Sequence, residues 1–242
     1  MIIEVPTGEG SAEAWLTGES GPGVLLIMDA IGLRPRIYEM ADRIASWGYV
    51  VLAPNVFHRF GRAGDLAPEG PLTSPGAREA FFAQAMPRVQ GLTASDAASD
   101  CEAWLDALRA QPGVREPFGV VGYCMGARIA TRVAGAHPEL IAACGGFHGG
   151  GLVTDAPDSP HLSLATAKAE FLYGHADNDG SMGPDAIAGL EGALVAAGLV
   201  HTNGIYPDAP HGYSMSDTSM YHEAATERHF AELEALFARR LH

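Results

Sequence analysis

The stretch Phe118-Gly119-Val120-Val121-Gly122-Tyr123-Cys124-Met125-Gly126-Ala127 decides how the chain is read. Its short apolar run predicts a buried strand, which breaks at Gly122, presents Cys124, and reaches Gly126 where a helical pattern begins. G-x-C-x-G is the spacing of a nucleophile elbow, with sulfur where oxygen is commoner. The chain must fold back sharply at the nucleophile, so the residues two positions either side have to be small. A helix starting just after Cys124 directs its N-terminal amides and positive dipole end at the sulfur, favouring thiolate over thiol. A buried free Cys in a tight turn is also common in protein cores, so the partners of Cys124 must decide.

Outward from the elbow, strand and helix patterns alternate. Upstream, Val24–Met28 is a continuous apolar run after Gly21-Pro22-Gly23, and Tyr49–Ala53 is a second; both suit central parallel strands buried on two faces. Between them Ile37, Met40, Ala41, Ile44 and Ala45 recur at helical spacing until Gly48. Ile2–Val5 and Ala12–Thr17 read as two short opening strands. Pro54 to Gly76 is rich in Pro, Gly and charge, a length that suggests a lid or pocket wall. Helices are predicted over Ala77–Met86 and Ser95–Ala110, with Cys101 on the apolar stripe of the second. Downstream come strands at Leu140–Cys144, Glu170–Tyr173 and Val200–Tyr206. A helix around Ile187–Ala197 and a terminal one from Ser219 to Arg240 complete the series. This alternation predicts an α/β fold: one domain, residues 1–242, with a mostly parallel sheet covered on both faces.

Composition narrows the function. A formal net charge of -14 argues against nucleic acid or an anionic membrane as partner, and an anionic substrate would need a local cluster of Arg. Cys101, Cys124 and Cys144 are too few and too scattered for a disulfide framework or zinc site, and no H-E-x-x-H motif occurs, so no metal is expected. No basic stretch with an apolar run opens the sequence, and no apolar segment approaches the ~18 residues of a membrane span. A cytoplasmic protein is the expectation.

Acyl transfer by a thiol needs a base, an orienting acid and an oxyanion hole. The strand at Glu170–Tyr173 leads into Gly174-His175-Ala176-Asp177, and the strand ending at Tyr206 leads into Pro207-Asp208-Ala209-Pro210-His211-Gly212. Asp177 and His211 therefore sit at the carboxyl ends of strands, where catalytic groups gather in such sheets. His175, Asp179 and Asp208 are neighbouring alternatives, and His148 lies on the same face as a pocket or structural residue. Val24–Met28 runs out into Asp29-Ala30-Ile31-Gly32, which brings Asp29 to that face and offers the Ala30 amide as partner to that of Met125 around an oxyanion.

Taken together, Met28-Asp29-Ala30-Ile31-Gly32, Gly122-Tyr123-Cys124-Met125-Gly126, Gly174-His175-Ala176-Asp177 and Ala209-Pro210-His211-Gly212-Tyr213 resemble the dienelactone hydrolase family. The resemblance spans nearly the whole chain. It implies a single-domain α/β-hydrolase fold, no cofactor, and hydrolysis of a small-molecule ester or lactone through an acyl-thioenzyme, by a monomer or homodimer. It casts Cys124 as nucleophile, His211 as base, Asp177 as orienting acid, and the amides of Ala30 and Met125 as oxyanion donors. The family carries a thiol-activating glutamate after its central strand; the matching residue is Asp29, one methylene shorter. A family arginine that binds the substrate carboxylate falls at Met215, and another corresponds loosely to Arg78. Met215 cannot bind a carboxylate, so an anionic lactone is expected to be a poor substrate and a neutral or more apolar ester, packed against Met215, a better one. Arg34, Arg36, Arg59 and Arg62 are further candidates for that task. A thioesterase or acyltransferase on the same triad, or a non-catalytic binding protein of this fold, are the alternatives.

Overall fold

The computed structural model describes residues 1–242. Its eight strands are β1 (Ile2–Thr7), β2 (Gly10–Thr17), β3 (Gly21–Ile27), β4 (Val50–Pro54), β5 (Val114–Tyr123), β6 (Ile141–Phe147), β7 (Glu170–Ala176) and β8 (His201–Tyr206). They form one sheet in the order β1-β2-β4-β3-β5-β6-β7-β8, antiparallel from β1 to β4 and parallel from there to β8. Every residue of β3 and β4 is buried, as continuous apolar runs in a two-faced sheet require.

The helices are α1 (Pro35–Ala45), the short α2 (Ala63–Leu66), α3 (Ala77–Gly91), α4 (Ala94–Arg109), α5 (Met125–Ala136), α6 (Pro184–Ala196) and α7 (Glu223–Arg240). α1 and α7 share one face of the sheet, where Trp47 meets Phe230 edge-on at 6.1 Å and Tyr49 meets Phe237 at 5.6 Å. On the other face α4 packs on α5, burying Cys101, Trp104 and Leu105. α4 starts with a capping box: Thr93 Oγ1 accepts from the Asp96 amide, and the Thr93 amide donates to the Asp96 carboxylate. The buried residues form a single core running through the sheet, with Cys101 and Cys144 inside it.

Boundaries moved where the pattern was interrupted. β6 and β7 extend to Phe147 and Ala176 because Gly145, Gly146 and Gly174 stay in the ladder although they break the apolar signal. α3 runs through Pro87 rather than stopping before it, since only one ladder donor is lost and the next turn is anchored by the buried Arg88. The Pro54–Gly76 segment holds α2 and a single parallel bridge, Leu72 to Thr218, which ties it to the loop after β8. α7 begins at Glu223, where the His222 side chain accepts from the Ala225 amide, four residues later than the pattern suggested. No helix is long and apolar enough to cross a membrane.

Candidate active site

Cys124 is held at φ 55°, ψ −117°, between the end of β5 and the first residue of α5. For a non-glycine residue this is a strained conformation that only a surrounding framework sustains. Two glycines build that framework. A Cβ on Gly122 would lie 2.1 Å from the Gly126 carbonyl oxygen, and one on Gly126 would lie 2.5 Å from the Ile27 carbonyl oxygen. The elbow can close, and α5 can abut the end of β3, only with glycine at both places.

The sulfur meets a relay. Cys124 Sγ is 3.0 Å from His211 Nε2, and His211 Nδ1 donates to Asp179 Oδ2 at 2.6 Å. Burial alone would lower the His211 pKa, but the hydrogen bonds and charges of Asp179 and Cys124 outweigh it and raise it to about 10. Burial likewise works against the Asp179 carboxylate. The His211 contact and the Ser181 hydroxyl and amide overcome that and pull its pKa down to about 2. Ser181 donates to Asp179 Oδ1 through N and Oγ, at 2.8 and 2.7 Å.

Asp179, not Asp177, is therefore the carboxylate on His211. Asp177 leaves β7 with its amide donating to the Ala209 carbonyl at 2.7 Å and its Oδ2 accepting from the Asp208 amide at 3.0 Å. It clamps the exits of β7 and β8 together and has no hydrogen bond to the imidazole. Asn178 then takes a left-handed turn at φ 53°, which swings Asp179 back toward the ring. Asn before Asp-Gly is the local signal for that turn, but two acidic residues so close cannot be ranked by spacing alone. Asp208 supplies only its backbone to this corner, at φ 61°.

Asp29 is also not where the thiol-activating role requires it. Both its oxygens face Arg34, at 2.7 and 3.1 Å, and Oδ1 accepts from the Ile31 amide as well. Arg34 in turn donates to both oxygens of Asp217 at 2.5 and 3.1 Å, and its Nη2 lies 3.4 Å from Met215 Sδ. The guanidinium is buried, which disfavours its charge, but the two flanking carboxylates more than restore it. The short aspartate side chain keeps its carboxylate near its own loop, within reach of an arginine five residues on. Met215 is buried beneath that guanidinium and faces no open space for a substrate.

The other arginines sort cleanly. Arg36 donates to the Ser214 carbonyl and Glu39, Arg59 pairs with Asp100 and Glu9, and Arg62 pairs with Glu4 and Glu13. Arg78 lies over the Phe82 ring at 4.6 Å on the same helix. A residue the sequence reading passed over is Arg88, which donates to the carbonyls of Leu66, Ala30 and Ile31 at 2.9, 3.4 and 3.0 Å. It fixes the loop that carries the Ala30 amide; its place three residues after Ala85, on the one buried stripe of α3, was the available signal.

Ala30 lies outside every strand and helix and its amide donates to no backbone carbonyl. Met125 is the first residue of α5, so its amide has no intrahelical partner. His148 is buried, pairs with Ser214 Oγ at 2.8 Å, and stacks edge-on against His211 with centroids 5.5 Å apart. Burial drives its pKa well below the ordinary value, so it walls the relay as a neutral ring. No group of three or more His, Cys, Asp or Glu side chains is arranged to hold a metal ion.

The chain matches the family model described as dienelactone hydrolase family over residues 13–241. It is 28% identical over 211 residues to a carboxymethylenebutenolidase of Rhodococcus opacus, covering 87% of this chain and 77% of that one. Among solved structures it superposes on a dienelactone hydrolase-like promiscuous phosphotriesterase from metagenomic libraries (TM-score 0.77, 19% identity, 100% of this chain and 98% of the other). The dienelactone hydrolase of Anabaena variabilis is similar at TM-score 0.69, 19% identity and the same coverage. With the sheet, the elbow and the family match over nearly its full length, this chain belongs to the dienelactone hydrolase family, hydrolases of the α/β-hydrolase fold.

Proposed function

We propose that the protein hydrolyses carboxylic esters or lactones through an acyl-thioenzyme on Cys124. The observation that carries this is the unbroken line Cys124 Sγ, His211, Asp179, at 3.0 and 2.6 Å, at the tip of the elbow. His211 Nε2 lies 3.0 Å from Cys124 Sγ, and the imidazole, favoured as its cation, is placed to hold the sulfur's proton when the thiolate attacks carbonyl carbon. Attack forms the C–S bond and drives the carbonyl electrons onto oxygen, where the amides of Ala30 and Met125 are the donors available. As the oxyanion collapses, the alkoxide leaves and takes the Nε2 proton. Neutral His211 then removes a proton from water, whose oxygen adds to the thioester, and collapse of the second oxyanion releases the carboxylic acid and restores the thiolate. Each oxyanion donor is worth about 10²–10³-fold in rate. Activated esters suit this centre better than amides, because the alkoxide must leave with one proton from a single imidazolium.

Intact-mass spectrometry after mixing with a panel of lactones, esters and thioesters tests the reading. A +acyl adduct on Cys124 is expected in the parent and none in Cys124→Ala, which also loses turnover. Undiminished ester turnover in Cys124→Ala would end it; adducts from thioesters alone would move the substrate class to acyl thioesters.

A further inference from the structure

α5 presents Met125, Arg128, Ile129 and Arg132 along one stripe, the i, i+3, i+4, i+7 spacing of a single helix face. That face lines a half-open cavity of about 520 Å³, walled opposite by the end of α3 (Met86, Val89), the start of α4 (Ala94, Ala97) and the segment after β6. The cavity begins at Met125, the residue after the nucleophile. Half of its lining is apolar, and its cationic groups are Arg128 and Arg132.

Arg128 is unusual in this molecule. Only Arg78, Arg88, Arg115 and Arg128 lack a carboxylate in ion-pairing reach; Arg78 lies over Phe82, Arg88 is committed to carbonyls, and Arg115 is exposed at the far end of β5. Arg128 is partly buried, makes no hydrogen bond, and opens onto the cavity. It stands in the first half of α5, where the positive end of the helix dipole works against it, and no acidic residue sits in that first turn. Arg132 donates to the Asp158 carbonyl at 2.6 Å and lies 3.8 Å from its carboxylate, so it is largely matched. The site therefore carries about one uncompensated positive charge in a protein whose formal net charge is -14.

Arg128 is also close to the relay. A Cβ on Gly151 would lie 3.8 Å from Arg128 Nη1, and the Gly151 amide donates at 2.9 Å to the carbonyl of Ser181, whose hydroxyl holds Asp179. Three residues, about 4.5 Å of helix rise, separate Arg128 from the start of α5 at Met125.

Deepening the ester-hydrolase reading on which it rests, we infer that Arg128 is a specificity-determining residue that binds a carboxylate at the far end of an otherwise apolar substrate chain lying in this cavity. One free guanidinium grips a carboxylate in bidentate geometry and balances its single charge, whereas a dianionic phosphate keeps a charge unmatched. The apolar wall of Met86, Val89 and Ile129 covers the chain between that carboxylate and the scissile carbonyl. Met215 is buried under Arg34 and meets no substrate, so an anionic substrate is read by Arg128 instead, against the expectation drawn from Met215 alone.

The test compares kcat/KM for the mono-4-nitrophenyl ester of adipic acid with that of its methyl-capped neutral diester. The parent should prefer the anion by about tenfold. Arg128→Gln should bring that ratio close to one, Arg128→Lys should keep part of it, and Arg115→Gln, the same charge change away from the cavity, should leave it intact. A second arm measures adipate binding to Cys124→Ala by calorimetry, which needs no turnover; it should be detectable there and lost in Cys124→Ala/Arg128→Gln. A parent ratio near one, or a ratio unchanged in Arg128→Gln, overturns the assignment while leaving the ester-hydrolase reading standing. If no ester is turned over, that reading fails and the calorimetry decides Arg128 alone, with equal adipate affinity in both proteins counting against it.

Discussion

Two strand exits in this molecule carry the same local device and put it to different use. Asp29 at the end of β3 and Asp179 beyond β7 each accept from the amide two residues on, Ile31 or Ser181, and each turns its carboxylate to a cationic side chain. At Asp29 the cation is a buried guanidinium that cannot release its proton and is gripped by a second carboxylate, Asp217. At Asp179 the cation is an imidazolium whose other nitrogen faces sulfur. The first arrangement has nowhere to send a proton and acts as a strut. The second has one acceptor on each side and can pass a proton on.

The sharpest way to break the comparison is to remove the relay. His211→Ala and Asp179→Asn should each lower kcat/KM by about 10²–10⁴-fold. The double variant should lose little more than the worse single, because groups acting as one unit are not additive. Fully multiplicative losses would mean that Asp179 does not act through His211. Next comes the strut. Asp29→Asn should lower stability by about 3 kcal/mol in a denaturant titration, the lower end for breaking a buried pair because Arg34 keeps Asp217. The rate of Cys124 alkylation should change less than about threefold, since the two networks share no partner.

The acid–base contrast supplies a third prediction. His211 has its pKa raised to about 10 from 6.5, so the folded protein holds a proton there that the unfolded chain has lost. Its contribution to stability is full below pH 6.5 and fades as pH rises through about 10. Protonation of the leaving group should vanish over the same range, giving kcat/KM an alkaline limb near pH 10. Asp179→Asn removes two of the interactions that raise the value and should move that limb downward. An unmoved limb would assign it to another group. The smallest effect belongs to Asp177→Asn, which keeps an oxygen for the Asp208 amide and should change kcat/KM by less than about threefold.

That last pair marks where the sequence could be read and where it could not. The elbow, the parallel sheet and His211 were legible because each depends on local pattern: apolar runs, glycines at fixed offsets, a histidine just past a strand. Choosing between Asp177 and Asp179 depended on the sign of φ at Asn178, which composition does not reveal. The fate of Asp29 depended on which polar partner reached it first, and the Arg34 guanidinium, five residues away, won over a thiol almost a hundred residues distant. The Arg78, Arg88 and Arg128 side chains are chemically identical, and only the packing of α3 and α5 separates stacking, anchoring and an open guanidinium.

The strut reaches further than the pair it forms. Asp217 belongs to the irregular segment that follows His211, and that segment is also pinned by Arg36 on the Ser214 carbonyl, by His148 on the Ser214 hydroxyl, and by the Leu72–Thr218 bridge. A stretch with so many anchors in the core has no cheap local melting of its own; it opens with the sheet or not at all. Warming should therefore leave His211 in register until the whole fold gives way, so loss of activity and loss of structure become one thermal event.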